Sequence, residues 1–167
     1  MQNKKIVKLN IGAWQTYILG FINLDISPTA DISVNLNKDK LSFDDSSVDL
    51  IVSYRTLEHI PEYLFDSECY RVLKNGGIFL LGLPYVSLTE YHLVNPYHFH
   101  NFNEYSFDFF DENQLKGSAA EENRIAFKKI FHRFHYIGIF NIIPPSDHGV
   151  GVIYLMLYEK LILVLLR

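Results

Sequence analysis

Two short, mainly apolar runs on either side of a helical pattern form the centre of the chain. Val48–Val52 is rich in β-branched residues and follows the turn-forming residues 44–47, and Ile78–Leu83 is the second run. Between the runs, Pro61 predicts a helix start and Asn75-Gly76-Gly77 predicts its end, because these last residues tolerate positive φ. Apolar strands joined by a crossover helix predict a parallel sheet with helices on both faces.

Three further strands are predicted upstream: Lys5–Ile11, Phe21–Leu24 and Ile32–Leu36. The connection between the first two is too short for a helix with its turns, so we expect a loop or a single helical turn. Gly12 follows the first strand and Asp25 the second. In a doubly wound fold these positions meet a ligand at the carboxyl edge of the sheet, where the acidic residue accepts hydrogen bonds from ribose hydroxyls.

The pattern weakens downstream. Tyr85–Glu104 has little regular pattern and is predicted to be a substrate lid, and a short helix is expected from Ser106. At least one strand is expected within Ile125–Ile143. For the apolar tail, Val150–Arg167, we expect a completing strand followed by a helix packed on the sheet; a homodimer contact and a membrane-surface contact are the alternatives.

Composition predicts one domain over residues 1–167, because a chain with 49% hydrophobic residues can form one substantial core. A formal charge of -4 excludes the basic footprint of a nucleic-acid-binding protein. The single cysteine, Cys69, excludes an intramolecular disulfide and is expected to be a small buried core residue. Residues 1–5 are polar and the apolar run after them is short, so we expect no signal peptide; the single cysteine suits a reducing compartment, and we expect a cytoplasmic protein.

Several sequence blocks, in this order and at this spacing, resemble the class I S-adenosylmethionine-dependent methyltransferases of the type 11 kind. The most specific are Leu57-Glu58-His59-Ile60 and residues 71–77 (RVLKNGG). The segment Asn95-Pro96-Tyr97-His98 is similar to small members associated with cell-surface polysaccharide biosynthesis. The resemblance covers about residues 5–110 and implies an α/β fold, a Rossmann-like three-layer sandwich with a shortened first crossover.

The resemblance also implies a binding site for S-adenosyl-L-methionine. Asn10, Gly12 and Ala13 match the loop around the methionine part of the cofactor, and Asp25 matches the residue that holds the ribose. The resemblance matches five more residues to contacts with the cofactor, from its ribose and adenine to its sulfonium: Ile26, Asn35, Leu36, Ser53 and Tyr54.

One position departs from the family pattern. The glycine-rich loop reads Gly12-Ala13-Trp14, and glycine is used there because the backbone approaches the ligand closely. Either Trp14 turns outward, or its indole occupies part of the cofactor pocket. The second arrangement predicts a catalytically inactive methyltransferase-like binding or scaffold subunit.

Histidines are the candidate chemical groups. His59 or His98 is expected to orient or deprotonate an acceptor hydroxyl, because imidazole titrates near neutral pH. The spacing of the histidines does not by itself establish a metal site, and we assign no metal ligands from the sequence. The expected activity is methyl transfer to an oxygen or nitrogen of a small-molecule or glycan-linked acceptor.

Overall fold

The computed structural model describes residues 5–60, 64–86, 95–111, 125–136 and 158–167. Its strands and helices, in chain order, are β1 (Lys8–Ile11), β2 (Ile22–Asp25), β3 (Ile32–Ser33), β4 (Val48–Tyr54), a 3₁₀ helix (Leu57–His59), α1 (Leu64–Val72), β5 (Leu73–Pro84), a second 3₁₀ helix (Asp108–Phe110), β6 (Lys128–Tyr136) and β7 (Tyr158–Leu166).

The described strands form one sheet in the order β3-β2-β1-β4-β5-β7-β6. The five strands β1 to β5 are parallel, and β7 runs antiparallel to both β5 and β6. Ile51 of β4 lies opposite Phe79 of β5. The predicted parallel pairing of the two central strands is therefore confirmed, and so is a strand within Ile125–Ile143. The three-layer arrangement stays a prediction, because α1 is the one α-helix in the described ranges.

Apolar residues on one face of the parallel strands, together with α1, form the core. Leu9, Leu24 and Phe79 have no exposed surface, and neither do Cys69 and Val72 of α1. Burying a side chain of this size contributes about 1.5–3 kcal/mol relative to leaving it in water. Cys69 is a buried thiol, as the sequence predicts.

Several strand boundaries differ from the predicted ones. β3 ends at Ser33 rather than at Leu36, because a polar turn begins immediately afterwards. The backbone N–H of Asn35 donates to Asp39 Oδ2 at 2.8 Å, and the backbone N–H of Asp39 donates to Asn35 O at 2.8 Å. β5 begins at Leu73, so Gly76 and its neighbours lie in the irregular start of this strand, just after the end of α1.

The expectation of a helix in the tail is wrong for the described residues of that segment. Residues 158–166 form β7, which lies between β5 and β6 and uses both of its backbone edges. A strand inside a sheet is apolar on both faces, so its sequence resembles that of a buried helix. Arg167 extends the pairing, because its N–H donates to Gly77 O at 3.1 Å. The dimer contact and the membrane-surface contact stay predictions.

The connection between β1 and β2 contains no helix, as the sequence predicts, and two buried asparagines hold it against the sheet. Asn10 and Asn23 are partners in register, and Asn10 Nδ2 donates to Asn23 Oδ1 at 2.9 Å. Asn10 Nδ2 also donates to Thr16 O at 2.6 Å, and Ile18 N donates to Asn23 Oδ1 at 2.9 Å. The two amides therefore satisfy backbone groups of a loop that contains no helix.

Candidate functional site

The strands β1, β2 and β4 are parallel, so their carboxyl ends meet at one edge of the sheet. The loop after β1 turns sharply at Gly12, whose φ is +73°. The backbone N–H groups of Gly12 and Ala13 both donate to Leu24 O, at 2.9 and 3.0 Å. These two bonds place the start of this loop directly over the end of β2.

Gly12 is required at its position for two independent reasons. Its positive φ is unfavourable for residues with a Cβ atom. A Cβ atom at this position would also lie 2.0 Å from Thr56 Oγ1 and 2.5 Å from Thr56 Cγ2. The loop after β1 and the segment after β4 are therefore in direct contact, and this contact closes the edge between the two strands.

Asp25, the last residue of β2, holds the opposite side of the same loop. Its Oδ2 accepts from the N–H of Trp14 at 3.1 Å, and its Oδ1 accepts from the N–H of Ser27 at 2.9 Å. An ionised carboxylate has about four acceptor positions, so these two bonds leave capacity for ligand hydroxyls. Asp25 lies at the carboxyl edge, where the sequence places it, and the adjacent Ile26 is 68% exposed.

Trp14 turns outward. Its φ is +27° and its side chain is 74% exposed, so the indole does not fill the space between the strand ends. Of the two arrangements expected for this residue, the structure has the first.

The remaining residues of the predicted cofactor site occupy different environments. Asn10 is 2% exposed and its amide braces the loop after β1. Asn35 Oδ1 accepts from the N–H of Asn37 at 3.1 Å within the turn after β3. Leu36 lines a cavity of about 220 Å³ that lies between this turn and α1; its other lining residues are Lys38, Asp39, Lys40, Leu41, Ser67 and Glu68.

Ser53 and Tyr54 end β4, beside Ile11 at the end of β1. Ser53 is 2% exposed, and its hydroxyl has no hydrogen-bond partner among the described residues. The ring of Tyr54 lies against Gly82, where a Cβ atom would be 2.3 Å from Tyr54 Cδ2. Ser53 thus leaves a buried polar group at the strand end, where the resemblance places the sulfonium.

A tight turn brings His98 to His59. Residues 95–98 begin with asparagine and proline, the residue types that a type I turn favours at its first two positions. The N–H of His98 donates to Asn95 O at 3.1 Å and closes the turn. The rings of His59 and His98 meet edge to face, with centroids 4.6 Å apart. The two histidines that the sequence selects as chemical groups are therefore neighbours.

Two hydrogen bonds fix this turn to the 3₁₀ helix after β4. The N–H of Phe99 donates to Glu58 O at 2.7 Å, and His59 Nδ1 lies 3.1 Å from Tyr97 O. Because a carbonyl oxygen can only accept, this contact requires hydrogen on Nδ1, which leaves the lone pair of a neutral ring on Nε2.

Glu58 is the member of this cluster that the sequence reasoning did not select. It is 1% exposed, and its Oε2 has no hydrogen-bond partner within the described part of the chain. Burial raises the pKa of Glu58 to about 7, an effect that its own backbone N–H and the exposed Arg55 only partly offset. A helix-start carboxylate is usually exposed, so the signal that marks Glu58 is its burial, which the sequence does not carry.

Comparison with known proteins supports the resemblance to methyltransferases. Residues 14–81 match the family model described as "Methyltransferase domain", type 11. A probable S-adenosylmethionine-dependent methyltransferase from Mycolicibacterium smegmatis is 43% identical over 49 residues, which are 29% of this chain and 19% of that protein. The match thus spans about one fifth of the length of this relative.

Solved structures agree over almost the whole chain. A SAM-dependent methyltransferase from Archaeoglobus fulgidus has a TM-score of 0.64 at 15% identity, covering 97% of this chain and 86% of that one. An S-adenosylmethionine-dependent methyltransferase from Mesorhizobium loti has a TM-score of 0.61 at 13% identity, covering 97% and 91%. Geranyl diphosphate C-methyltransferase from Streptomyces coelicolor, solved with S-adenosyl-L-homocysteine, has a TM-score of 0.58 at 10% identity, covering 98% and 72%.

These likenesses confirm an α/β, Rossmann-like methyltransferase fold with a mostly parallel sheet, and S-adenosylmethionine is the cofactor of the family and of these proteins. The association with polysaccharide biosynthesis stays a prediction. None of the helices in the described ranges is long and apolar enough to cross a membrane.

Proposed function

We propose that this chain binds S-adenosyl-L-methionine at the carboxyl edge of β1, β2 and β4. We further propose that it transfers the methyl group to an oxygen or nitrogen of a small-molecule or glycan-linked acceptor. The observation that carries the proposal is the closure of the loop after β1 onto Asp25. This closure sets a positive-φ glycine and a strand-end carboxylate side by side at one edge.

The geometry supports separate roles for the two sides of the site. Asp25 would accept hydrogen bonds from the ribose hydroxyls, while the buried Ser53 would lie towards the reacting end of the cofactor. Methyl transfer is an in-line displacement, in which the acceptor forms a bond to the methyl carbon as the sulfur leaves. Alignment of the two reactants supplies most of the rate enhancement in such a step.

An acceptor hydroxyl or ammonium must also lose a proton. The Nε2 lone pair of His59 is oriented by the bond between Nδ1 and Tyr97 O, and His98 lies beside it. A neutral imidazole with an oriented lone pair is a suitable base for this proton. We therefore assign acceptor orientation and proton removal to His59 and His98.

Calorimetric titration with S-adenosylmethionine and S-adenosylhomocysteine tests the cofactor site. We expect micromolar binding that Asp25→Ala weakens at least tenfold, which corresponds to about 1.4 kcal/mol. Asp44→Ala is the matched control, because Asp44 is exposed and precedes the amino end of β4, away from the carboxyl edge. Equal affinities for the wild type and Asp25→Ala would refute this assignment.

Trp14 supports a second candidate function, an inactive methyltransferase-like binding or scaffold subunit. A large side chain replaces a loop glycine, at a φ of +27° that is unfavourable for residues with a Cβ atom. If neither cofactor binds to the wild type but S-adenosylhomocysteine binds to Trp14→Gly, the indole closes the pocket and the second function holds. Binding to the wild type excludes this closure.

A further inference from the structure

We propose that Glu58, His59 and His98 form a binding site for a divalent transition-metal ion, with Zn²⁺ as the best match. One ligand atom from each residue lies within 4.8 Å of the other two. The existence of this site does not depend on the proposed function; only its role, holding the methyl acceptor, rests on it. The sequence alone assigns no metal ligands, because it does not reveal that the turn at residues 95–98 meets the segment after β4.

The donor set suits a transition metal. One carboxylate and two imidazoles form a known three-ligand set for zinc, with a fourth position open for water or a substrate. Zinc holds nitrogen and oxygen ligands at about 2.0–2.2 Å, which in tetrahedral geometry sets them about 3.4 Å apart. The three atoms would therefore need to approach by about 1.4 Å at most, a distance that side-chain rotation can supply. Magnesium and calcium prefer all-oxygen sites and fit poorly.

The buried Oε2 of Glu58 is an independent indication of a ligand. This residue is 1% exposed, and the oxygen has no hydrogen-bond partner among the residues that the structure describes. A buried carboxylate without a partner is costly, because it loses hydration and gains nothing in return. A cation bound between Glu58 and the two rings would satisfy it. Arg55 is the nearby positive side chain, but it is exposed.

The surroundings of His59 match those of a metal ligand. Histidines that bind metals usually donate the other ring N–H to a carbonyl or carboxylate, which fixes the ring and its tautomer. His59 Nδ1 lies 3.1 Å from Tyr97 O, so its Nε2 is left as the ligating atom. The bond from Phe99 N to Glu58 O, 2.7 Å long, holds the turn carrying His98 against the segment carrying the other two ligands.

An open fourth position gives the site a role on the acceptor side. An alcohol or phenol oxygen bound to Zn²⁺ loses its proton more readily, because the cation stabilises the oxyanion. The substrate class is therefore a hydroxyl compound that can bind the metal through that oxygen. The proton would pass to solvent rather than to His59, because the metal would occupy the Nε2 lone pair that serves as the base in the metal-free site.

Zinc titration of the EDTA-treated, dialysed protein against a chromogenic chelator tests the site. We expect one equivalent of Zn²⁺ to bind, and Glu58→Gln, His59→Asn and His98→Asn each to weaken binding at least tenfold. His132→Asn is the matched control, because His132 is exposed on β6, and it should bind as the wild type does. Unchanged affinity in a variant that carries all three substitutions, or an equal loss in the control, would overturn the proposal.

Thermal unfolding with and without Zn²⁺ separates loss of metal from loss of fold. Zn²⁺ should raise the melting temperature of the wild type. Without metal, Glu58→Gln should have a melting temperature at least equal to that of the wild type, and Zn²⁺ should not raise it. A gain in Glu58→Gln equal to that of the wild type would contradict the assignment. Asp25→Ala should retain zinc binding while losing affinity for S-adenosylhomocysteine, so failure of the metal site and failure of the cofactor site give different results.

Discussion

Replacement of Gly12 by alanine is the sharpest test of how the edge of the sheet is built. The added Cβ atom would lie 2.0 Å from Thr56 Oγ1, 2.5 Å from Thr56 Cγ2 and 2.7 Å from Thr56 Cβ. All three atoms belong to one side chain, at the start of the segment that leads to Glu58. The substitution therefore pushes the loop after β1 away from the segment after β4.

Two contributions set the magnitude. Alanine at a φ of +73° costs about 1–2 kcal/mol, because its Cβ atom crowds the following carbonyl. Overpacking against Thr56 adds about 1–3 kcal/mol, as other insertions into well-packed regions do. We expect the free energy of unfolding to fall by about 2–5 kcal/mol, a large share of the roughly 5–15 kcal/mol that stabilises a typical domain.

Gly76→Ala separates the two contributions. Gly76 also has a positive φ, +79°, but a Cβ atom there meets nothing within 4 Å. It should show the conformational cost alone, about 1–2 kcal/mol. Urea denaturation followed by circular dichroism gives the free energy of unfolding of both variants.

A double-mutant cycle with Thr56→Ala then isolates the contact. Alanine at position 56 removes the two closest atoms but keeps Cβ, so we expect partial recovery, with a coupling energy of at least about 1 kcal/mol. Equal destabilisation in Gly12→Ala and Gly76→Ala, together with no coupling to Thr56, would refute the close contact and leave only the backbone argument.

Three other changes test separate parts of the structure by urea denaturation. Asn23→Ala should cost about 2–4 kcal/mol, because it leaves three partly buried backbone groups of the helix-free loop without this partner. A cost below about 1 kcal/mol would show that the amide does not hold the loop. Arg71→Ala should cost about 2–3 kcal/mol through lost bonds to Glu68 and two carbonyls. The Arg71 guanidinium lowers the pKa of Glu68, so the stability that this pair contributes is lost as pH falls through that pKa. The free energy of unfolding of Arg71→Ala should therefore fall less steeply at acid pH than that of the wild type, and equal slopes would contradict this. In EDTA, Glu58→Gln should be more stable than the wild type by up to about 3 kcal/mol at pH 8. The reason is that the folded state raises the pKa of Glu58 from 4.5 to about 7, so the wild type loses stability as pH rises through this range. A difference in stability that does not grow over this range would refute the prediction.

The parts of the fold that could be predicted from sequence are those that local pattern determines. The strand at Val48–Val52, the turn at residues 44–47 before it and the position of Asp25 at the end of β2 all depend on residues close together in the chain. The prediction for the tail was wrong because a short apolar run such as Leu161–Leu166 suits a central strand and a buried helix equally well. Only the antiparallel partners on either side decide between them.

The candidate site was predicted in part for the same reason. His59 and His98 could be selected by residue type, but their 4.6 Å approach depends on two long-range hydrogen bonds that no local pattern reveals. Glu58 was missed because its sequence position is that of an ordinary helix-start carboxylate, whereas its significance lies in its burial. For Asn10, the family pattern predicted a cofactor contact but not a second, structural role. Its amide supports the loop after β1, which contains no helix.

Different interactions hold the cofactor side and the acceptor side of the candidate site, so different substitutions should disrupt them. On the cofactor side, Asp25 and the buried asparagines hold a loop that no helix supports, so its geometry depends on a few hydrogen bonds. On the acceptor side, the turn carrying His98 is fixed to the segment after β4 by bonds at Glu58 and His59. Gly12 and Thr56 form the contact between the two sides. A substitution within either side should therefore impair one ligand only, whereas Gly12→Ala should weaken S-adenosylhomocysteine and zinc binding together, because it displaces both sides at their shared contact.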